Sequence, residues 1–267
     1  MSRLRNSSIF CPVHSERRGT GHTSRLIDLD RLWRNEKRTL VDGSVIRKFA
    51  RSPTQRGVLR NEAHVLEGLR HQSIPKLVEL KESTTSTELV LQTLPGRPLA
   101  ELVQQGVLIN VDWRHVVRRV LAYLHENGLS HGDIKPANIL IYSHGVYLID
   151  FGASSPLDTK YDSIPYRCFS PPYAAWGQVT GRGAVSVEDD LYSLACTHFV
   201  ATHRRHPFEM ESIAGYFSRG VPTPVNLTSR FGERLARRIL QQWRKACQTD
   251  TWEYSTKIQH HRWATHI

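Results

Sequence analysis

Long apolar runs are missing from this chain of 267 residues. No stretch approaches the roughly 18 apolar residues that a membrane-spanning helix needs. The basic start, MSRLRNSSIFCPVHSERRGTGHTSR, also lacks the apolar segment of a secretory signal. We therefore expect a protein without a membrane span, and we expect it to be cytoplasmic.

Cysteine is scarce, and its spacing excludes two common roles. The four cysteines, Cys11, Cys168, Cys196 and Cys247, lie far apart and form no C-x-x-C pair. This spacing argues against a zinc site and against a disulfide framework, because both need clustered or regularly spaced cysteines. We expect ordinary reduced thiols.

Acidic residues are fewer than basic residues, 25 against 36, and the formal net charge is +11. A positive charge favours acidic partners such as nucleic acid, an anionic membrane face or acidic protein segments. The basic residues are scattered, however, and no basic stripe interleaved with aromatic residues stands out. We therefore do not expect nucleic acid as the principal ligand, and the oligomeric state stays unknown.

Short apolar segments with strand and helix periods fill the first hundred residues of the chain. RTLVDGSVIRKFA predicts a hairpin around Asp42-Gly43 and places Lys48 near the end of a strand. RGVLRNEAHVLEGLRH has the period of an amphipathic helix and places Glu62 among leucines, where a carboxylate usually has a cationic partner. KLVELKESTTSTELVLQTL predicts two more strands around a Ser/Thr-rich turn.

A polar loop lies between the next helix and a second hairpin. WRHVVRRVLAYLHENG predicts a helix that stops at Gly128, and SHGDIKPAN follows it directly. NILIYSHGVYLID then predicts a hairpin with its turn around Gly145. Because a hairpin folds its two ends together, Asp133 and Asn138 before it should lie close to Asp150 at its end.

These polar residues predict a particular chemistry. Two carboxylates and an amide oxygen converge, with Lys135 beside them. Such hard oxygen ligands suit Mg²⁺, which takes its remaining ligands from water and phosphate. The set therefore points to phosphoryl transfer.

HGDIKPAN followed by DFG resembles the catalytic loop and metal-binding motif of the eukaryotic-type serine/threonine protein kinase family. Tyrosine kinases typically lack the lysine two residues after the aspartate. The resemblance covers roughly residues 40–210. Within it, VIRK resembles the strand of the phosphate-binding lysine, and DDLYSL resembles the buried helix whose aspartate, here Asp190, ties down the catalytic loop.

The resemblance implies an α+β, bilobal protein-kinase-like fold with a small β-rich N-lobe and a larger, mainly helical C-lobe. We assign residues 1–24 to a flexible basic N-terminal extension, 25–93 to the N-lobe, and 94–267 to the hinge, C-lobe and C-terminal tail. It also implies ATP and Mg²⁺ as cofactors, with Mn²⁺ as an alternative ion, and a protein substrate of unknown identity.

The resemblance also assigns roles to individual residues. Asp133 and Lys135 are the catalytic residues: Asp133 accepts the proton of the attacking hydroxyl, and Lys135 stabilises the transferring phosphoryl group. Asn138 and Asp150 hold the metal ions. The residues implied in nucleotide binding are Lys48, Glu62, Leu91, Gln92, Leu94 and Leu140.

Two departures from the family pattern concern phosphate binding and regulation. Residues 25–39 contain no glycine where the family has its glycine-rich loop, and the similar segment GTGHTS, at Gly19 to Ser24, lies far upstream of Lys48. Gly132 stands where many members have an arginine that binds a phosphate on the activation loop. This absence predicts an enzyme that is not gated by phosphorylation of that loop.

Two other functions stay open at this point. A small-molecule or lipopolysaccharide kinase shares H-G-D and tolerates a poor glycine loop, whereas Lys135 and the DFG motif favour protein substrates. A pseudokinase would keep the fold as a non-catalytic binding module, although the catalytic and metal residues are all present.

Overall fold

A computed structural model describes residues 10–12, 26–28, 38–143 and 145–207, with side chains from residue 43 onward. The segment GTGHTS and the residues after 207 lie outside this described part, as does most of the predicted N-terminal extension. Strands β1 (Phe10–Pro12) and β2 (Leu26–Asp28) pair antiparallel. The boundaries of the extension and of the two lobes stay predictions.

The first lobe is built on a four-stranded antiparallel sheet. In spatial order its strands are β3 (Arg38–Asp42), β4 (Val45–Ala50), β6 (Thr87–Gln92) and β5 (Leu77–Glu82). Gly43 has φ 51°, and this left-handed conformation allows the tight turn between β3 and β4. The predicted hairpin is confirmed, with its turn at residues 43–44, one position later than expected.

Helix α1 (Pro53–Gly68) packs against this sheet. Ser52 caps its start, because the Ser52 side chain accepts a hydrogen bond from the backbone N–H of Gln55. Pro53 suits the first helical position, where its missing N–H would have no helical partner. The buried face of α1 includes Leu59 and also Glu62, so the helix points a carboxylate into the protein.

The second lobe contains the other helices of the described chain. These helices are α2 (Leu99–Gln105), α3 (Trp113–Glu126), α4 (Trp176–Thr180) and α5 (Val187–His203). Its short strands are β7 (Arg97–Pro98), β8 (Leu129–Ser130), β9 (Ile139–Tyr142), β10 (Gly145–Leu148) and β11 (Ser155–Pro156). Strand β9 pairs with β10 and β7, and β11 pairs with β8. The second predicted hairpin is therefore confirmed, but Gly145, expected in its turn, is the first residue of β10 and pairs with Tyr142.

One cluster of buried apolar side chains extends through both lobes. It includes Leu59 and Leu66 of α1, Val117 and Leu121 of α3, and the fully buried Phe151. Burial of this apolar surface stabilises the contact between the lobes. The architecture is the predicted bilobal α+β fold. Among the described residues, no helix combines the length and the apolar composition needed to cross a membrane.

Candidate active site

Lys48 and Glu62 form a buried ion pair between strand β4 and helix α1. The Nζ atom of Lys48 lies 2.6 Å from Oε1 and 2.7 Å from Oε2 of Glu62. Burial alone lowers the pKa of Lys48, but the carboxylates of Asp150 and Glu62 outweigh it and raise that pKa above its ordinary value. Lys48 is therefore a fixed cation, and Glu62 has the cationic partner that its burial requires.

Asp150 joins this pair from the second lobe. It follows strand β10 and has a left-handed backbone, with φ 68°. Its Oδ1 atom lies 3.1 Å from Nζ of Lys48. The next residue, Phe151, donates its backbone N–H to Oε1 of Glu62 at 3.3 Å. The two lobes thus meet at three charged side chains, and an unfavourable backbone conformation at such a point is typical of functional sites.

Asn138 lies beside Asp150 because the hairpin of β9 and β10 brings its two ends together. The backbone N–H of Ile149 donates to the carbonyl oxygen of Asn138 at 3.0 Å. The Nδ2 atom of Asn138 donates to the backbone oxygen of Asp133 at 2.9 Å and to its Oδ2 at 3.1 Å. Both bonds use the amide nitrogen, so the amide oxygen is the atom that can bind a cation.

Asn138 and Asp150 fit a Mg²⁺ ion. They offer one amide oxygen and one carboxylate, and Mg²⁺ completes its octahedron with water and phosphate oxygens rather than with a cage of protein ligands. Mn²⁺ shares this preference for oxygen ligands. Within the described ranges, no cluster of three or more His, Cys, Asp and Glu side chains is arranged to hold a metal. These two protein ligands therefore leave the other coordination positions of the ion to water and to the phosphates of a substrate.

Asp133, Lys135 and Ser170 form a closed polar cluster. Nζ of Lys135 lies 2.7 Å from Oδ2 of Asp133 and donates to Oγ of Ser170, also at 2.7 Å. The backbone N–H of Ser170 donates to Oδ1 of Asp133 at 2.9 Å. All three residues are buried. The Asp133 carboxylate is therefore fixed in orientation, with an ammonium group beside it.

Ser170 is a member of this polar cluster that the sequence did not predict. It stands in the segment SPPY, more than thirty positions after Asp133 and Lys135. Its only local signal is a hydroxyl in front of two prolines, which is common in turns. The path of the chain, rather than any spacing, brings it to Asp133 and Lys135.

Asp190 on helix α5 fixes the backbone before Asp133. Its Oδ2 accepts the backbone N–H of His131 and its Oδ1 accepts that of Gly132, both at 2.9 Å. The ring of His125 is hydrogen-bonded to Oδ2 at 2.9 Å. Burial alone raises the pKa of Asp190, but these hydrogen bonds hold it below its ordinary value. Asp190 thus remains a carboxylate that holds the loop in place.

Gly132 has a conformation that disfavours a side chain. Its φ is 78°, and a Cβ atom at this position would lie 2.4 Å from the carbonyl oxygen of Ala153. Its own carbonyl oxygen accepts a 2.7 Å hydrogen bond from Nε2 of Gln178. The position that carries arginine in many kinases is therefore closely surrounded by backbone and side-chain groups of this chain.

The residues predicted to contact adenine lie at the junction of the lobes. Leu91 on β6 and Leu140 on β9 are both buried. The backbone N–H of Gln92 donates to the carbonyl oxygen of Lys76 at 2.9 Å, so its carbonyl is the group that can accept from a base. Leu94 is half-buried in the connection from β6 to β7. These residues thus lie in the strand before the connection between the lobes, in that connection and in a strand after it.

The chain is similar in sequence to known protein kinases. The family model of the protein kinase domain matches residues 19–251. The chain is 30% identical over 199 residues to the carbon catabolite-derepressing protein kinases of Candida glabrata and Saccharomyces cerevisiae, which covers 72% of this chain and 32% and 31% of those proteins. It is also 30% identical over 162 residues to a "Probable myosin light chain kinase" of Dictyostelium discoideum, covering 58% of this chain and 46% of that protein.

The chain spans less than half the length of these relatives. The family match nevertheless covers most of the chain, and it includes every residue of the site between the lobes. The fold is that of the family, with a small sheet-based lobe and a larger helical lobe. The chain therefore belongs to the protein kinase family.

Proposed function

We propose that this protein is an ATP- and Mg²⁺-dependent serine/threonine protein kinase that transfers the γ-phosphate of ATP to a hydroxyl of a protein. The observation that carries the proposal is the buried cluster in which Lys135 contacts both Asp133 and Ser170. This cluster fixes one carboxylate and one cation side by side, as transfer of a phosphoryl group to a hydroxyl requires. The kinase names of the relatives support a protein substrate.

Asp133 acts on the attacking hydroxyl. Its carboxylate orients the hydroxyl and accepts its proton as the new bond to the γ-phosphorus forms and the bond to the leaving oxygen of ADP breaks. The backbone N–H of Ser170 holds Oδ1, and Asn138 and Lys135 contact Oδ2. The ammonium of Lys135 stabilises the negative charge of the phosphoryl group in transfer.

Nucleotide binding involves both lobes. Lys48, held by Glu62, contacts the phosphates of ATP, and the apolar residues Leu91 and Leu140 enclose adenine. The backbone groups of Gln92 and Leu94 hydrogen-bond the base. Asn138 and Asp150 hold Mg²⁺, or Mn²⁺, which neutralises phosphate charge when it is bound. Most of the rate enhancement then comes from positioning and from charge stabilisation.

Phosphorylation of the activation segment, which we define as residues 150–173, is not required for this activity. The hydroxyl of Tyr161 donates to Oδ2 of Asp189 at 2.8 Å, and Tyr161 is 4% exposed. Strand β11 within the segment pairs with β8. Gly132, in place of the arginine, offers no side chain to a phosphate. These contacts support a segment that is ordered by its own sequence.

The test is incubation with γ-labelled ATP and Mg²⁺, with a general protein substrate, an aminoglycoside and lipopolysaccharide as separate acceptors. We expect label on serine and threonine of the protein, and loss of label in the Asp133→Ala and Lys48→Ala variants. Label on a small acceptor alone would support a small-molecule or lipopolysaccharide kinase instead. Phosphatase treatment of the enzyme should leave the rate unchanged, and a rate that falls on treatment would refute the ungated activity.

A thermal shift tests nucleotide binding, which a binding module without a nucleotide site would lack. Specific nucleotide binding stabilises the folded protein by mass action. We expect ATP with Mg²⁺ to raise the melting temperature, whereas no shift at millimolar nucleotide would favour a pseudokinase. The cytoplasmic location stays a prediction, and the protein substrate is to be identified with the active enzyme.

A further inference from the structure

The side chain of Asn61 attaches helix α1 to the activation segment. Its Nδ2 atom donates to the carbonyl oxygens of Gly152 at 3.1 Å and of Ser154 at 2.9 Å. Asn61 directly precedes Glu62 in the helix, and Gly152 lies two residues after Asp150. One amide group therefore connects the helix that carries Glu62 to the segment that carries Asp150.

The ring of Tyr166 makes a second attachment one turn earlier in the helix. A Cβ atom built on Gly57 would lie 2.3 Å from Cε2 and 2.6 Å from Cδ2 of Tyr166, so the ring lies directly against the helix backbone. Gly57 and Asn61 are four residues apart and share one face of α1. Tyr166 is 39% exposed, and its ring therefore has room to swing away from the helix.

Between these two attachments, Gly152 packs closely against Val58 of α1. A Cβ atom built on Gly152 would lie 2.6 Å from Cγ1 of Val58. The contacts at residues 57, 58 and 61 all join α1 to the activation segment. A movement of α1 away from the segment would therefore break them together with the contacts of Glu62.

We propose that Asn61 and Tyr166 are positioning residues that hold α1, and with it Glu62, beside Lys48 without any phosphate. We call their contacts with Gly152, Ser154 and Gly57 the α1 clasp. The proposal rests on the proposed kinase function, because it explains how an ungated site stays assembled. In a chain with Gly132 in place of the arginine, the clasp supplies the link between helix and segment.

The first experiment measures local opening by amide hydrogen exchange, which needs no catalysis. Asn61→Ala removes both hydrogen bonds, and His64→Ala is the matched control because His64 is an exposed residue of the same helix. We expect Asn61→Ala to speed exchange at least about tenfold in residues 53–68 and at Phe151. Exchange in α3 should keep the wild-type rate, whereas a global loss of stability would raise it as well.

The second experiment uses Gly57→Ala, which distinguishes the loss of the clasp from a loss of intrinsic helix stability. Alanine is the better helix former, so this change favours α1 while its Cβ displaces the ring of Tyr166. We expect both Gly57→Ala and Tyr166→Ala to speed exchange, Gly57→Ala by less because alanine also stabilises the helix, and the double variant not to exceed Tyr166→Ala. Tyr166→Phe, which keeps the ring, should exchange like the wild type.

Phosphotransfer provides the functional measurement. We expect Asn61→Ala and Gly57→Ala to lower kcat about tenfold with little change in KM for the protein substrate, and His64→Ala to keep the wild-type rate. Wild-type exchange and wild-type kcat in Asn61→Ala and Gly57→Ala would overturn the clasp. Strictly additive effects of Gly57→Ala and Tyr166→Ala would overturn the role of Tyr166. A wild-type protein that transfers no phosphate refutes the proposed function instead, and the exchange data then still test the clasp.

Discussion

The hydroxyl oxygen of Ser170 accepts a 2.7 Å hydrogen bond from Nζ of Lys135. The same lysine contacts Asp133, so Ser170 fixes the ammonium that lies beside the proposed base. Ser170→Ala removes this acceptor, and a hydrogen bond to a charged group contributes about 1.5–3 kcal/mol. We expect Ser170→Ala to lower kcat about tenfold to a hundredfold in a phosphotransfer assay.

Ser170→Thr is the matched control, because threonine keeps the hydroxyl. It should retain most of the activity. If Ser170→Ala and Ser170→Thr both had the wild-type kcat, the hydrogen bond to Lys135 would have no catalytic role.

Gly132→Ala should destabilise the protein more than Gly128→Ala. Both glycines have left-handed backbones, with φ 78° and 71°, so a side chain at either position introduces strain of about 1–2 kcal/mol. At Gly132 the new Cβ would also lie 2.4 Å from the oxygen of Ala153, whereas at Gly128 it meets no atom within 4 Å. Urea unfolding should give a larger loss of unfolding free energy for Gly132→Ala, and equal losses would contradict this conformation of the loop.

Acid should destabilise the fold partly through His206. Burial lowers the pKa of this histidine from 6.5 to about 4, although its hydrogen bond to the carbonyl of Pro172 opposes that shift. Between these values the unfolded chain binds a proton that the folded protein does not, so stability falls as the pH falls from 6.5 to 4. One such histidine contributes about 1.4 kcal/mol per pH unit.

His206→Gln should reduce this slope in urea unfolding measured at several pH values. His64→Gln, at an exposed position, is the control and should keep the wild-type slope. An unchanged slope in His206→Gln would show that His206 is not held neutral in the folded protein.

Gln55→Met should stabilise the protein. Gln55 is 1% exposed, and within the described residues neither its Oε1 nor its Nε2 has a hydrogen-bond partner. Such a buried, unsatisfied group costs about 1–3 kcal/mol, and methionine has a similar shape without the amide. We expect the unfolding free energy to rise by about that amount.

The matched control is Gln178→Met, which should destabilise the protein. Gln178 is also buried, but its amide accepts from the backbone of Ala175 at 2.9 Å and donates to that of Gly132. The two substitutions should therefore change the unfolding free energy with opposite signs. A loss of stability in Gln55→Met would mean that its amide has a partner in solution.

Local patterns in the sequence predicted much of the fold and of the site. Alternating apolar residues located both hairpins, and the second hairpin brings Asn138 next to the strand end that carries Asp150. The apolar helix face around Glu62 predicted a cationic partner for its carboxylate, and in the structure that partner is Lys48. These predictions succeeded because each depends on local periodicity or on the free energy of burying a charge.

Contacts between distant segments could not be predicted in this way. Ser170 reaches Lys135, and Asn61 reaches Gly152, only through the path of the chain around both lobes. From the sequence, Gly132 could be recognised only as a position where many family members have an arginine. Its left-handed backbone and its closeness to the carbonyl oxygen of Ala153 depend on tertiary packing. Both turns also lie elsewhere than expected, because Asp42 pairs with Val45 and Gly145 pairs with Tyr142 instead of forming the turns.

The most direct test of the proposed mechanism is single-turnover transfer of the γ-phosphate by wild-type protein and by Asp133→Asn, with nucleotide binding measured on the same samples. We expect Asp133→Asn to bind ATP with Mg²⁺ like the wild type but to transfer at least about a hundredfold more slowly, because a general base contributes that much. Transfer by Asp133→Asn at the wild-type rate would contradict the assignment of Asp133 and with it the proposed mechanism.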